Sequence, residues 1–199
     1  MQVSFCLSRV RHVSRKWRCV VLDEGPANAV DNAVVRQWVD VAELMKKVGA
    51  EEIAIGAIKY SILRQASGKD IIFDFEQSLS FEGDSGPYLQ YAYARTCSLL
   101  RKAEGRTIDA ASGTGEARPL HKYILRFPEV VARAQEEREP HYIATYLIEL
   151  AREFSAFYGN TVVLDNADDE PYKLALVLAV SNVLKRGLWL LGIPSPSKM

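Results

Sequence analysis

The sequence predicts an all-α fold, a helical bundle behind a short N-terminal stretch that is irregular or β-containing. Three observations carry that prediction. Long segments repeat apolar residues three and four apart. The same segments open on capping residues or proline and close on glycine or basic residues. Period-two alternation is confined to Ile71, Phe73 and Phe75, too few to found a sheet.

Residues 1–26 stand apart, being rich in basic and β-branched residues, and "RCVVLDEGP" reads as a strand ending in a turn. Helical signals begin after Pro26. "DNAVVRQWVDVAELMKKVG" starts on a capping residue and ends Lys-Lys-Val-Gly. "EEIAIGAIKYSILRQASG" sets Ile55, Ile58 and Ile62 on one face. After the connector "KDIIFDFEQSLSFEGDSG", a helix is expected over "GPYLQYAYARTCSLLRK", residues 86–102. Asp84 and Ser85 suit its N-cap and Pro87 its first turn, where a missing N–H costs nothing. Gly105 stands where a glycine would end it.

"GRTIDAASGTGEARP" reads as an exposed, mobile loop whose glycines lack phosphate-cradle spacing. Two further helices follow, "PLHKYILRFPEVVARAQEERE", interrupted near Pro128, and "PHYIATYLIELAREFSAFYGN". The last begins at "DDEPYK", with acids and Pro171 in its first turn. Its Leu174, Leu178, Leu184, Leu188 and Leu191 keep helical rhythm, and Trp189 is expected in the core. No internal repeat is visible.

The 199 residues are 48% hydrophobic and 25% charged, enough for a sizeable core and too apolar for wholesale disorder. Twenty-five basic residues balance 25 acidic ones, so a nucleic-acid face must come from local arrangement. Cys6, Cys19 and Cys97 are an odd, widely spaced set, which argues against a disulfide framework or zinc site and for a reducing compartment. The opening segment is no signal peptide, and "LALVLAVSNVL" is too short to span a bilayer. The expectation is a soluble, cytoplasmic protein with no membrane partner.

Catalytic signals are weak. His12, His121 and His141 share no metal-ligand spacing, and the latter two, beside proline-marked helix starts, read as surface or capping residues. "DNADDEP" (165–171) lacks the ordered cation-loop pattern and reads as helix capping. "QEERE" (135–139) reads as a solvated helix end.

The stronger signal lies in the helix over 86–102. At about 100° per residue, Tyr88, Tyr91 and Arg95 fall within roughly 60° of one another, and Lys102 joins their side. Leu89, Tyr93, Thr96 and Leu100 form the better core face. One explanation of the stripe is amphipathic tyrosines at a core boundary with a snorkelling arginine. The other is a surface that stacks nucleic-acid bases and meets a base edge or phosphate with the guanidinium. "FSAFYGN" adds Phe154, Phe157 and Tyr158 near another helix end; Phe154 reads as core, while Phe157 and Tyr158 stay open between core and surface.

The stretch "LSFEGDSGPYLQYAYARTCSLLRKA" (79–103) resembles the opening of the anticodon-binding domain of arginyl-tRNA synthetases, class I enzymes. "KLALVLAVSNVLKRGLWLLGIPSPSKM" is similar to that family's C-terminal helix and tail, and "GAIKYSILRQASGKDIIFDFEQSLSFEG" to its connection out of the catalytic domain. The likeness covers residues 35–199, with its three segments in the family's order. It implies a division into 1–34, a remnant of the catalytic-domain and ATP-loop region, 35–80, connecting helices, and 81–199, the anticodon-binding domain. It implies anticodon contacts at Tyr88, Tyr91, Arg95 and Met199. Lys102 would support the RNA backbone, and Phe157 or Tyr158 would stand near a further aromatic contact.

Departures from the family matter as well. No His-x-Gly-His string is present, and the second ATP loop is reduced to Ser14, Arg15 and Lys16 of "HVSRKWRC". The resemblance implies ATP and Mg in the full-length enzymes but no cofactor or metal for this chain. Adenylate formation would have no preorganised partner here. The expectation is a monomeric module that binds the tRNA(Arg) anticodon stem-loop, not DNA. It would need a separate catalytic domain to charge tRNA. The alternative is a helical protein-interaction module, or a degenerate relative of the synthetases, without RNA binding.

Overall fold

A computed structural model describes residues 49–199 of the protein, except 72–73, 81–82 and 114–118. The proposed 1–34 remnant and, apart from Gly49, the helix expected over 31–49 lie outside the described residues. The elements are α1 (Ala50–Leu63), α2 (Phe75–Leu79), α3 (Gly86–Lys102), a 3-10 turn (Ala110–Ser112), α4 (Pro119–Glu137), α5 (His141–Asn160) and α6 (Glu170–Leu190). The described residues contain no strand.

The core forms where α3, α5 and α6 meet. Leu89 of α3, Leu147, Leu150, Ala151 and Phe154 of α5, and Leu174, Val177, Val180, Leu184 and Leu188 of α6 are all closed to solvent. Burying a leucine or valine contributes about 1.5–3 kcal/mol, so these residues dominate stability. α4 lies mainly against α5, and α1 against α3.

Helix ends follow local chemistry. Ser85 caps α3 by accepting from the Tyr88 N–H at 3.1 Å. Asp74 caps α2 in the same way through Gln77, and this short helix occupies part of the connector where the sequence suggested alternation. α6 ends in a Schellman motif: Ile193 N donates to Leu188 O and Gly192 N to Trp189 O, both at 2.9 Å. Gly192 takes φ +64, and Ile193 packs inward with Leu188. At the end of α4 the same pattern is built on Arg138 (φ 57), with Glu139 N donating to Ala134 O at 3.0 Å. The reversal seats His141 against Glu139, whose carboxylate also accepts from the Ser67 N–H.

Four elements depart from the sequence reading or go beyond it. Ile58 and Ile62 of α1 face outward, and its buried side is Gly56, Ala57, Tyr60 and Ser61. Close approach explains the choice: a Cβ on Gly86 would lie 2.3 Å from the Gly56 carbonyl oxygen, so only small residues fit between α1 and α3. α4 runs unbroken through Pro128. The Tyr146 hydroxyl donates to Tyr123 O at 2.6 Å in the turn the proline weakens, and Tyr146 stacks on Phe127. Trp189 is not core: it is 76% exposed, because Leu184, Leu188 and Leu191 already fill the inward face.

The acidic "DNADDEP" segment is the fourth difference. Asp169 makes no capping hydrogen bond at the start of α6. Asp165 and Asp169 instead hold the Lys173 ammonium, at 2.7 and 2.8 Å, in a site where Lys173 is 6% exposed. Glu170 accepts from Arg106 and from the Asn166 N–H, each at 2.6 Å. The loop after α3 is exposed as expected but tethered, through Arg106, through Asp109 N to Pro171 O, and by Gly113 against the Tyr172 ring. Tyr172 also bonds the His121 ring.

Candidate nucleic-acid interface

Contacts along the seam between α3 and α5 advance in the same direction on both helices, so the two run parallel. Arg152 Nη2 meets Asp84 Oδ1 at 3.0 Å. The Tyr88 and Ser155 hydroxyls are 3.2 Å apart. The Arg95 guanidinium lies 4.6 Å from the Tyr91 ring centroid and 4.9 Å from that of Tyr158. Its Nη2 donates to the Tyr91 hydroxyl at 2.8 Å.

Tyr88 to Arg95 spans about 10 Å of helix rise, whereas Ser155 to Tyr158 spans about 4.5 Å. The mismatch is closed by Arg95 folding back along α3, the direction helical side chains favour. Tyr91 and Tyr158 are each 39% exposed, so two rings and one guanidinium share an open patch. Cation–π contact at exposed sites contributes about 0.5–1 kcal/mol, which orders the patch without sealing it. The remaining guanidinium N–H groups can donate to a base edge or phosphate, and the outer ring faces can stack on a base.

The expected residues divide. Tyr91 and Arg95 share the patch with Tyr158. Tyr88 is half-buried, packs against the core and joins α3 to α5 through Ser155. Phe157 packs partly buried against the core, so of the two aromatics left open it is Tyr158 that reaches Arg95. Lys102 is exposed in the last turn of α3, and Met199 is exposed at the end of the tail. Ser14, Arg15 and Lys16 lie outside the described residues.

Several residues of this region carried no strong sequence signal. Arg152 and Ser155 recur every three residues ahead of Tyr158, a spacing visible only once the partner helix is known. The Asp84 end opens into a cleft of about 240 Å³ lined by Tyr60, Arg64, Glu149 and Arg152. Arg64 donates there to Asp84 O at 3.0 Å. Two guanidiniums and two carboxylates offset one another, so this end is no bare anion site, and burial pushes the Tyr60 phenol pKa well above its usual range.

Gln90, between the two stripe tyrosines, is fully buried. Its Nε2 donates to Glu52 O of α1 at 3.0 Å and to Pro194 O of the tail at 2.8 Å. Among the described residues no group of His, Cys, Asp or Glu could hold a metal ion, and no helix is long and apolar enough to cross a membrane.

Residues 89–199 match the family model described as the DALR anticodon binding domain. An arginine–tRNA ligase of Ignicoccus hospitalis is 42% identical over 164 residues, covering 80% of this chain and 26% of the relative. One from Streptococcus pneumoniae is 38% identical over 190 residues, 94% of this chain and 34% of the relative. Thermus thermophilus arginyl-tRNA synthetase superposes with a TM-score of 0.71 at 35% identity, covering 84% of this chain and 32% of that one. The chain thus spans between about a quarter and a third of the length of the relatives it matches.

Proposed function

This chain belongs to the DALR anticodon-binding domain family, in the form found in arginyl-tRNA synthetases, and on that premise we propose that it grips the anticodon loop of tRNA(Arg). Tyr91 and Tyr158 stack on unpaired anticodon bases, and Arg95 between them donates to a base edge or nearby phosphate. Lys102 supports the RNA backbone and Met199 contacts the loop. Tyr88 contributes chiefly by fixing α3 against α5 through Ser155. The single observation that supports the reading best is the Arg95 guanidinium held against two exposed tyrosine rings.

In this reading residues 81–199 form the recognition domain and 35–80 its connection to a separate nucleotide-binding domain. That domain would bind ATP and Mg and carry out the aminoacylation chemistry, while this chain contributes recognition and does not charge tRNA alone. It acts as a cytoplasmic monomer toward tRNA(Arg). With no net charge to attract RNA over long range, affinity is modest and falls as salt rises.

Base stacking is worth about 1–3 kcal/mol per base, so Tyr91→Ala should weaken anticodon stem-loop binding about tenfold or more. The measurement is fluorescence anisotropy with an arginine-anticodon stem-loop and one of swapped anticodon, alongside circular dichroism to check the fold. Equal affinity of wild type and Tyr91→Ala for the cognate loop rejects the assignment. Absence of RNA binding at any salt favours the protein-interaction alternative instead.

A further inference from the structure

We propose that Gln90 is a positioning residue: it clamps the tail over 193–199 along α3, and the tail so seated completes the RNA site. The inference rests on the RNA-binding reading above.

Three side chains fasten the tail through its backbone carbonyls. Lys59 of α1 takes Gly192 O, Gln90 of α3 takes Pro194 O at 2.8 Å, and Arg101 of α3 takes Ser197 O at 3.1 Å. The contacts advance from Gln90 to Arg101 in the direction of α3. Met199 therefore follows two residues after the Arg101 anchor. Beyond the Schellman bond at Ile193, no backbone hydrogen bond joins the tail to the bundle among the described residues. Its course beyond Ile193 is set by side chains.

Of the three anchors, Gln90 alone is buried; Lys59 and Arg101 are exposed to water, which competes for their donors. The Gln90 amide lies flat on Gly56, where an added Cβ would be 2.7 Å from its Nε2 and Oε1. Both donors are used, one on α1 and one on the tail, while Oε1 is buried with no hydrogen-bond partner. A buried, unsatisfied acceptor is a cost that an aliphatic residue of the same size would avoid. What the amide gives in return is the junction of α1, α3 and the tail. A side chain kept for packing alone would not need it.

The chain has three methionines, so the Met199 methyl resonance reports the tail directly. The experiment records that resonance and the affinity for an arginine-anticodon stem-loop in the full chain, in Gln90→Leu, in a variant ending at Pro194, and in the combination Gln90→Leu ending at Pro194. In wild type the Met199 methyl should be dispersed and should shift on adding RNA. In Gln90→Leu it should collapse to a narrow, coil-like line while helix content is retained, with affinity down about three- to tenfold. The shortened variant should bind as weakly as Gln90→Leu, and the combination no more weakly than either.

An unchanged Met199 resonance in Gln90→Leu overturns the clamp. Full affinity of the shortened chain overturns the role of the tail, and that variant tests it even if Gln90→Leu fails to fold. Should wild type bind no stem-loop, the RNA reading and the completed site both fall. The Met199 line in Gln90→Leu then still decides the clamp alone, a coil-like line upholding it and a native-like one rejecting it.

Discussion

Arg95 carries a planar cation with five donors, one of which goes to the Tyr91 hydroxyl while its plane lies close to two rings. Lysine at this position would keep the charge and lose the plane. Arg95→Lys should therefore weaken stem-loop binding several-fold, about 1 kcal/mol, while the dependence of affinity on salt stays unchanged. Titrations at several salt concentrations check both parts; a flattened salt slope with unchanged low-salt affinity contradicts them. At this scale the sequence was partly legible. Tyr91 and Arg95, four apart on one helix, announce a shared face without any knowledge of the fold. Tyr158 joins them from a helix more than sixty positions later, which periodicity within one segment cannot reveal. Gln90 was unreadable for the same reason, since its partners Glu52 and Pro194 lie far away in sequence.

Among the elements, the α1–α3 contact decides the most. Gly86 begins α3, and replacing glycine by alanine in a helix ordinarily gains up to about 1 kcal/mol. Here the new Cβ would sit 2.3 Å from the Gly56 carbonyl oxygen, and overpacking of this kind costs about 1–3 kcal/mol. The clash is with backbone and cannot be relieved by a rotamer. Gly86→Ala should thus lower stability, read as a reduced denaturant midpoint; a higher midpoint would show that α1 can move away freely. Helix positions were legible from caps and apolar rhythm, because those signals are local. The buried face of α1 was not, because periodicity locates the isoleucines without saying how near the neighbouring helix comes. Trp189 misled in a similar way: apolar character predicts burial only while inward positions remain unfilled.

Across the whole molecule, acidic and basic residues cancel in number yet concentrate into networks. Hydrogen bonding from Arg106, then from the Asn166 N–H, holds the Glu170 carboxyl pKa below its ordinary value. The Lys173 ammonium, then the Ala167 N–H, does the same for Asp165. Burial works against the charge of Lys173, but its hydrogen bonds to Asp165 and Asp169 leave its pKa raised. With both carboxyl pKas depressed by folding, the unfolded chain takes up protons first as the solution is acidified. The stabilisation is present above the ordinary carboxylate range and drains away as pH falls through about 4.5 toward the folded values. Melting temperature should hold steady from neutrality down to that range and then drop. Glu170→Gln should melt lower than wild type at neutrality, with the gap closing in acid; a gap that persists in acid would assign the effect to packing. Composition exposed none of this, since a balance of charges says nothing about where they meet.

The enclosure of Arg95 by Tyr91 and Tyr158 has a thermodynamic consequence. An arginine side chain free in water forfeits about 2 kcal/mol of rotamer freedom when fixed. Where two rings and a phenol oxygen already hold the guanidinium, most of that disorder is surrendered as the chain folds. In the proposed role, a visiting nucleotide would meet a surface whose motional entropy is largely spent, and more of each new contact would be expressed as affinity.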